Sequence, residues 1–190
     1  IHKIFSAVSY MAEIVSLQQS YATRGSETRQ LVNLNLLLED SIRMQQSSLE
    51  KRRITVEKDL TKNLPLLKID KNKLMQVLVN LIKNSYEAID STNDPHTKKR
   101  IFLRTFKEKE QVCFEIADTG IGIEPDKIGS IFDFGESAKG SSGFGLYYSK
   151  MFVESNQGSL EFNSKGVGHG ASVLVRFQQS EKSENPKEAS

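Results

Sequence analysis

The run Val112-Cys113-Phe114-Glu115-Ile116-Ala117-Asp118-Thr119-Gly120-Ile121-Gly122-Ile123 decides how this chain is read. Apart from Glu115, its first six residues are apolar and strand-like, and the strand ends in a carboxylate followed by two glycines. Such a turn delivers one fixed acceptor to a place where backbone can come close to a ligand. Two other stretches complete a site if the fold gathers them. One is the Asn-bearing segment Asn80-Leu81-Ile82-Lys83-Asn84, and the other is Gly140-Ser141-Ser142-Gly143-Phe144-Gly145-Leu146. Each of the three is a weak indication alone.

Working outward from Asp118, Ile101–Phe106 and Val112–Ala117 alternate as a hairpin around the charged turn Lys107-Glu108-Lys109-Glu110. Before them, apolar residues at Leu74, Val77, Leu78, Leu81, Ile82 and Ala88 mark one face of a helix that Asp70 caps and that ends near Asp90. Asn80 and Asn84 lie one turn apart on it and project the same way. Further upstream, Leu31–Leu34 reads as a short strand, with Asn35 as the cap of a helix from Leu36 to about Arg52. Ile54–Leu60 and Leu66–Ile69 read as strands. At the N-terminus, Ile4, Val8, Met11, Val15 and Leu17 carry the three-to-four spacing of an amphipathic helix, which calls for a partner helix.

Downstream of Asp118, Glu124-Pro125-Asp126 starts a short helix towards Ile131. Asp133–Ser142 is small, polar and glycine-rich, and it empties into a helix from Gly143-Phe144-Gly145-Leu146 to about Asn156, closed by Gly158. A glycine-rich loop that runs into a helix N-terminus suits an anion such as phosphate, or serves as a plain connector. Ser159–Phe162 and Ala171–Phe177 are the closing strands, and residues 179–190 read as a disordered tail.

Composition narrows the partners. The 26 Lys and Arg against 24 Asp and Glu leave a formal charge of +2, which gives no global field for nucleic acid. One cysteine, Cys113, permits no internal disulfide and reads as a small buried hydrophobe. No apolar run approaches the ~20 residues of a membrane span, so a cytoplasmic location is expected, with any membrane attachment in segments outside this chain. His96 reads as a loop residue. His169, between glycines and without a second ligand at metal spacing, does not read as a metal ligand.

In order, these stretches resemble the ATP-binding domain of sensor histidine kinases, within the GHKL family that also holds gyrase and the mismatch-repair ATPases. Gln76–Ala88 resembles the N box, Asp118-Thr119-Gly120-Ile121-Gly122 the first glycine box and Ile131-Phe132-Asp133 the phenylalanine box. Gly143-Phe144-Gly145-Leu146 resembles the second glycine box, and Gly168–Val173 the last glycine motif. The resemblance implies an α+β fold, a two-layer α/β sandwich of the Bergerat type preceded by a long N-terminal helix. It divides the chain into residues 1–24 (the second helix of a dimerisation and phosphoacceptor hairpin), a linker at 25–30, the ATP-binding domain at 31–178 and the tail.

The resemblance also implies roles. Asp118 would accept from the adenine amino group, with Gly120, Gly122 and Ile123 beside the ring. Asn84 would give its oxygen to Mg²⁺, and Asn80 would face the phosphates. Gly143, Phe144, Gly145 and Leu146 would present backbone to the triphosphate, and Lys139 would approach the terminal phosphate. The family's hydrolases carry a Glu general base where this chain has Asn80, and an amide cannot take a proton at neutral pH. Transfer to a histidine is therefore favoured over hydrolysis. His2 lacks the flanking acidic residue and Pro of a phosphoacceptor, which places the acceptor upstream of Ile1. Implied partners are ATP, a response-regulator receiver domain and a second copy through the helical hairpin.

Two departures stand out. Ser141 replaces a common glycine, and Phe134–Lys139 differs from the Phe-Thr-Thr-Lys lid sequence of many relatives. Glu87 also stands where many relatives carry a Lys. A nucleotide-binding scaffold without transfer activity therefore stands as the alternative, and an ATPase of the same fold as a third.

Overall fold

The structure is a computed structural model that describes residues 29–92, 97–132 and 144–179. The expected N-terminal helix, the loop from Asp133 to Ser142 and the tail lie outside the described residues.

The chain opens with strand β1 (Arg29–Val32) and helix α1 (Leu34–Lys51). Asn33 caps α1, its side chain accepting the Leu36 N–H at 3.2 Å. The expected cap was Asn35, which instead lies inside the first turn and bridges α1 to the sheet. Asn35 donates to the Thr61 carbonyl at 2.9 Å and accepts from the Thr105 hydroxyl at 2.8 Å. Both positions carry a residue that can cap, so the pattern alone does not separate them. Leu34, Leu37, Leu38, Ser41, Gln45 and Leu49 form the buried stripe of α1. The helix stops at Arg53, whose φ of 56° turns the chain left-handed. The Arg53 N–H bonds the Glu50 carbonyl and the Ile54 N–H bonds that of Leu49, a Schellman ending.

Strands β2 (Thr55–Leu60) and β3 (Leu67–Asp70) lead into helix α2 (Lys71–Asp90). Asp70 caps α2 as expected, accepting the N–H groups of Asn72 and Lys73 at 3.0 and 3.1 Å. Then follow β4 (Arg100–Glu108), β5 (Gln111–Asp118), a single 3₁₀ turn at Pro125–Lys127, helix α3 (Phe144–Ser155), β6 (Ser159–Asn163) and β7 (Ala171–Gln178). The short helix expected after Glu124 shrinks to that 3₁₀ turn.

β1 and β3 make a separate antiparallel pair, while the main sheet has the order β2-β4-β5-β7-β6 with only β2 and β4 parallel. Alternation puts Ile101 and Leu103, then Val112, Phe114 and Ile116, then Val173, Val175 and Phe177, into one core with the apolar stripes of the helices. The opposite face is polar and aromatic. Arg100 and Arg104 lie 5.0 Å over the rings of Phe102 and Phe106, and Arg176 meets Glu161 at 2.9 Å. Cys113 sits on this face in register with Phe106 and Arg176, fully buried, and burial pushes its thiol pKa up. The result is the two-layer sandwich expected from the sequence, with Asp118 at the end of the central strand. Among the described residues, no helix is long and apolar enough to cross a membrane.

Candidate functional site

Asp118 ends β5 between Ile101 of β4 and Ala171 of β7. Its Oδ1 accepts the Gly120 N–H at 2.8 Å and the Ala171 N–H at 3.4 Å, and the Ser85 hydroxyl of α2 bonds the same carboxyl group. Burial dominates and pushes its pKa up to about 6, against the lowering effect of these hydrogen bonds. The carboxylate is thus fixed from three elements, and its charge is less stable there than in water.

The glycines lock this end of the strand onto its neighbours. Ile121 donates its N–H to the Ala88 carbonyl at 3.0 Å, and Gly170 donates to the Gly120 carbonyl at 3.1 Å. A Cβ on Gly120 would stand 2.6 Å from the Ala88 carbonyl carbon, so glycine is what lets β5 lie against α2. Gly122 has a φ of 77°, and the Gly166 carbonyl occupies the space its side chain would need. Its requirement for glycine therefore comes from the 164–170 loop, within the protein. Ile123 is held in the same way, its N–H bonded to the Ser164 hydroxyl at 3.0 Å, while that hydroxyl donates to the Gly170 carbonyl at 2.7 Å.

Asn80 and Asn84 lie on α2, both half-buried. Asn80 Nδ2 donates to the Ser149 hydroxyl at 3.1 Å, and Ser149 donates to the Gly145 carbonyl at 2.8 Å. A Cβ on Gly145 would run into the Asn80 amide, reaching within 2.8 Å of its Cγ. The Asn80 amide thus anchors the first turn of α3 through its nitrogen. Leu146 packs partly buried against the core. Gly143 and Lys139 lie outside the described residues, and Phe144 begins α3. Glu87 pairs with Lys83 at 3.7 Å.

Asn84 differs from Asn80. Its Nδ2 is buried without a hydrogen-bond partner among the described residues, an uncommon state for an interior amide. The fold thus leaves the nitrogen end of this amide without a partner among the described residues. Its other end is a neutral oxygen, the donor a hard cation takes, and Mg²⁺ needs few protein ligands because it keeps waters and phosphate oxygens. The residues present fit that ion.

The described members of the predicted set, Asn80, Asn84, Asp118, Gly120, Gly122, Ile123, Gly145 and Leu146, lie along α2, the end of β5 and the start of α3. Ser85, Ser149 and Ser164 escaped the sequence reading. Ser85 continues the apolar stripe of α2 between Ile82 and Ile89, and a hydroxyl in such a stripe is the trace that points to it. Ser164 leaves no comparable trace.

The architecture is that of the catalytic domain of histidine kinases. This chain matches ShkA, in a full-length structure in complex with AMPPNP, at a TM-score of 0.71 and 20% identity, over 82% of this chain and 32% of that one. It matches the histidine kinase ThkA, in complex with the response regulator protein TrrA, at 0.75 and 17%, over 95% and 51%. The chain belongs to the histidine kinase-, DNA gyrase B- and HSP90-like ATPases, whose family model matches residues 69–181. Among curated relatives, the circadian input-output histidine kinase CikA of Synechococcus elongatus is 28% identical over 129 residues, 64% of this chain. The chain spans only 16% of CikA.

Proposed function

We propose that this chain is the nucleotide-binding and phosphotransfer part of a sensor histidine kinase, taking Mg-ATP as substrate and a histidine upstream of Ile1 as acceptor. The observation that carries it is Asp118, a carboxylate held by backbone and Ser85 at the sheet end, beside a helix whose Asn84 amide nitrogen has no partner among the described residues. Asp118 as a fixed carboxylate accepts from an exocyclic amino group, which distinguishes adenine from a base bearing a carbonyl there. Asn84 offers its oxygen to Mg²⁺, which when bound neutralises phosphate charge and orients the terminal phosphoryl group. Lys139 and the backbone of Gly143 and Gly145 are assigned to the triphosphate.

In the transfer, a neutral imidazole nitrogen forms a P–N bond as the bond from the γ-phosphorus to the bridging oxygen breaks, and ADP leaves with that electron pair. Asn80 cannot act as a general base for water, and its amide nitrogen is engaged with Ser149. Both points favour transfer over hydrolysis. The complex of ThkA with a response regulator supports a receiver domain as the next acceptor, and dimerisation through the N-terminal helix belongs to the same reading.

Equilibrium ATP binding with and without Mg²⁺ tests it, beside Asp118→Asn and Asn84→Ala. Metal-dependent binding weakened by both substitutions is expected. Binding that neither alters overturns the assignment of the site to Asp118 and Asn84, and no binding at all leaves a domain of kinase fold without nucleotide. Incubation with a His-bearing helix then separates transfer from mere binding.

A further inference from the structure

A second candidate lies on the flank of α2 away from Asp118. Ser85 and Ala88 face the β5 turn, whereas Tyr86 and Asp90 take up Arg52 on another side of the helix. There a cavity of about 500 Å³ opens, lined by Lys51, Arg52, Arg53, Asp90 and Lys99. Arg52 is fully engaged. Its Nε meets Asp90 at 2.5 Å, a terminal nitrogen donates to the Ser48 carbonyl at 3.0 Å, and the guanidinium lies 4.5 Å over the Tyr86 ring. Lys51, Arg53 and Lys99 have no ion pair among the described residues.

The charge does not balance. The C-terminal ends of α1 and α2 converge here and contribute roughly half a negative charge each. Together with Asp90 they offset about two of the four cations, which leaves an excess of about two positive charges among the described residues of the concavity. Part of the basic character is thus ordinary helix-end chemistry, and the excess is what remains to explain. Arg53 adds a second observation. It occupies the left-handed position of a Schellman ending, where glycine is the unstrained choice. The chain accepts that conformational cost and places a long cationic side chain at the cavity mouth. Asn63, Lys109 and Gln157 share the left-handed conformation, so it is the place of Arg53 in the cavity lining, and not the strain alone, that sets it apart.

We infer that this cavity binds a small, multiply charged anion of the phosphate type, held by Lys51, Arg53 and Lys99 against Arg52 and Asp90. Among the described lining residues none carries an aromatic ring, and the nearby Tyr86 ring is covered by Arg52, so these residues offer nothing for base stacking. Recognition is by charge, with Arg53 supplying a planar fork that matches two oxygens. The site is separate from the nucleotide site proposed above and does not depend on it.

Inorganic pyrophosphate titrated into the full 190-residue chain at constant ionic strength tests this, with backbone amide NMR shifts as the readout. Saturable shifts at residues 51–53, 90 and 99 are expected. Arg53→Gly and Lys99→Gln should each weaken the affinity about fivefold. Arg53→Gly should do so while raising the melting temperature, a combination that a purely structural residue would not give. Shifts that sodium chloride reproduces, saturable shifts confined to residues 118–122 and 170, or unchanged affinity in Arg53→Gly would each overturn the proposal.

Discussion

Asn80 and Gly145 share one volume: the amide of the first fills the space that a side chain on the second would need. The glycine at the start of α3 is therefore required by packing, whatever else its backbone binds. Gly145→Ala should cost about 1–3 kcal/mol as an overpacked contact. In an Asn80→Ala background most of that cost should vanish, giving a coupling of at least about 0.5 kcal/mol. A double-mutant cycle by urea unfolding measures it, and strictly additive effects would show that the two residues do not share that volume.

Gly120 makes the corresponding contact at the end of β5, where a Cβ would meet the Ala88 backbone. A helix backbone cannot swing aside as a side chain can. Gly120→Ala should therefore destabilise by about 1–3 kcal/mol, and no truncation on α2 should rescue it. Chemical denaturation of Gly120→Ala alone and combined with Ala88→Gly separates the backbone clash from the Cβ clash.

Asp118 predicts a pH dependence with a definite sign. Its folded pKa is raised, from 3.8 to about 6, so the folded state holds the proton more tightly than the unfolded chain. The contribution to stability is fully present below the unfolded value and is lost as pH rises through about 6. Asp118→Asn abolishes the titration while keeping an acceptor for Gly120 and Ala171. The variant should thus melt above the unmodified chain at pH 7, and the difference should close towards pH 4. Under the proposed function, ATP binding runs the other way and weakens in the unmodified chain below about pH 6.

Among the described residues, Asn84 makes no side-chain hydrogen bond through its nitrogen. Asn84→Ala should leave stability within about 0.5 kcal/mol. The same substitution should remove the Mg²⁺ dependence of ATP binding. Thermal melts of the chain with and without ligand read both effects, and a large loss of stability in the free chain would mean that the amide has a structural partner after all.

Gln157 carries a φ of 57° at the end of α3, where Gly158 had been expected to supply the left-handed turn. The Gly158 N–H bonds the Val153 carbonyl at 2.9 Å, which makes Gln157 the residue that turns. Gly158 is needed for another reason, since a Cβ there would stand 2.5 Å from the Arg176 carbonyl oxygen. Gln157→Gly should stabilise by about 1 kcal/mol by relieving the left-handed strain, as read in the unfolding midpoint.

The alternation of β4 and β5 and the apolar stripe of α2 made the sandwich legible, because period two and period 3.6 each follow from a buried face. The turn at Asp118 was legible for the same reason, as a carboxylate after an apolar strand has few structural uses. What escaped were contacts between segments distant in the chain. Asn33 and Asn35 are chemically equivalent at a helix start, and only Thr61 and Thr105 decide which one caps. The glycines at 120, 122, 145 and 158 were visible as glycines, but what each avoids lies in Ala88, Gly166, Asn80 and Arg176. Ser164, which ties the loop beyond Gly122 to the last glycine turn, depends entirely on such distant partners.

The hold on Asp118 spans 53 positions, from β5 to the Ala171 N–H at the start of β7. A pairing of that sequence separation carries its loop-closure cost before it yields any contact energy. The carboxylate therefore gains its full geometry only after the sheet has closed, so no early or truncated form of the chain offers the finished site. A ligand that needs Asp118 in place would act as a selective probe of completed folding, protecting the closed sheet and ignoring every partly assembled state before it.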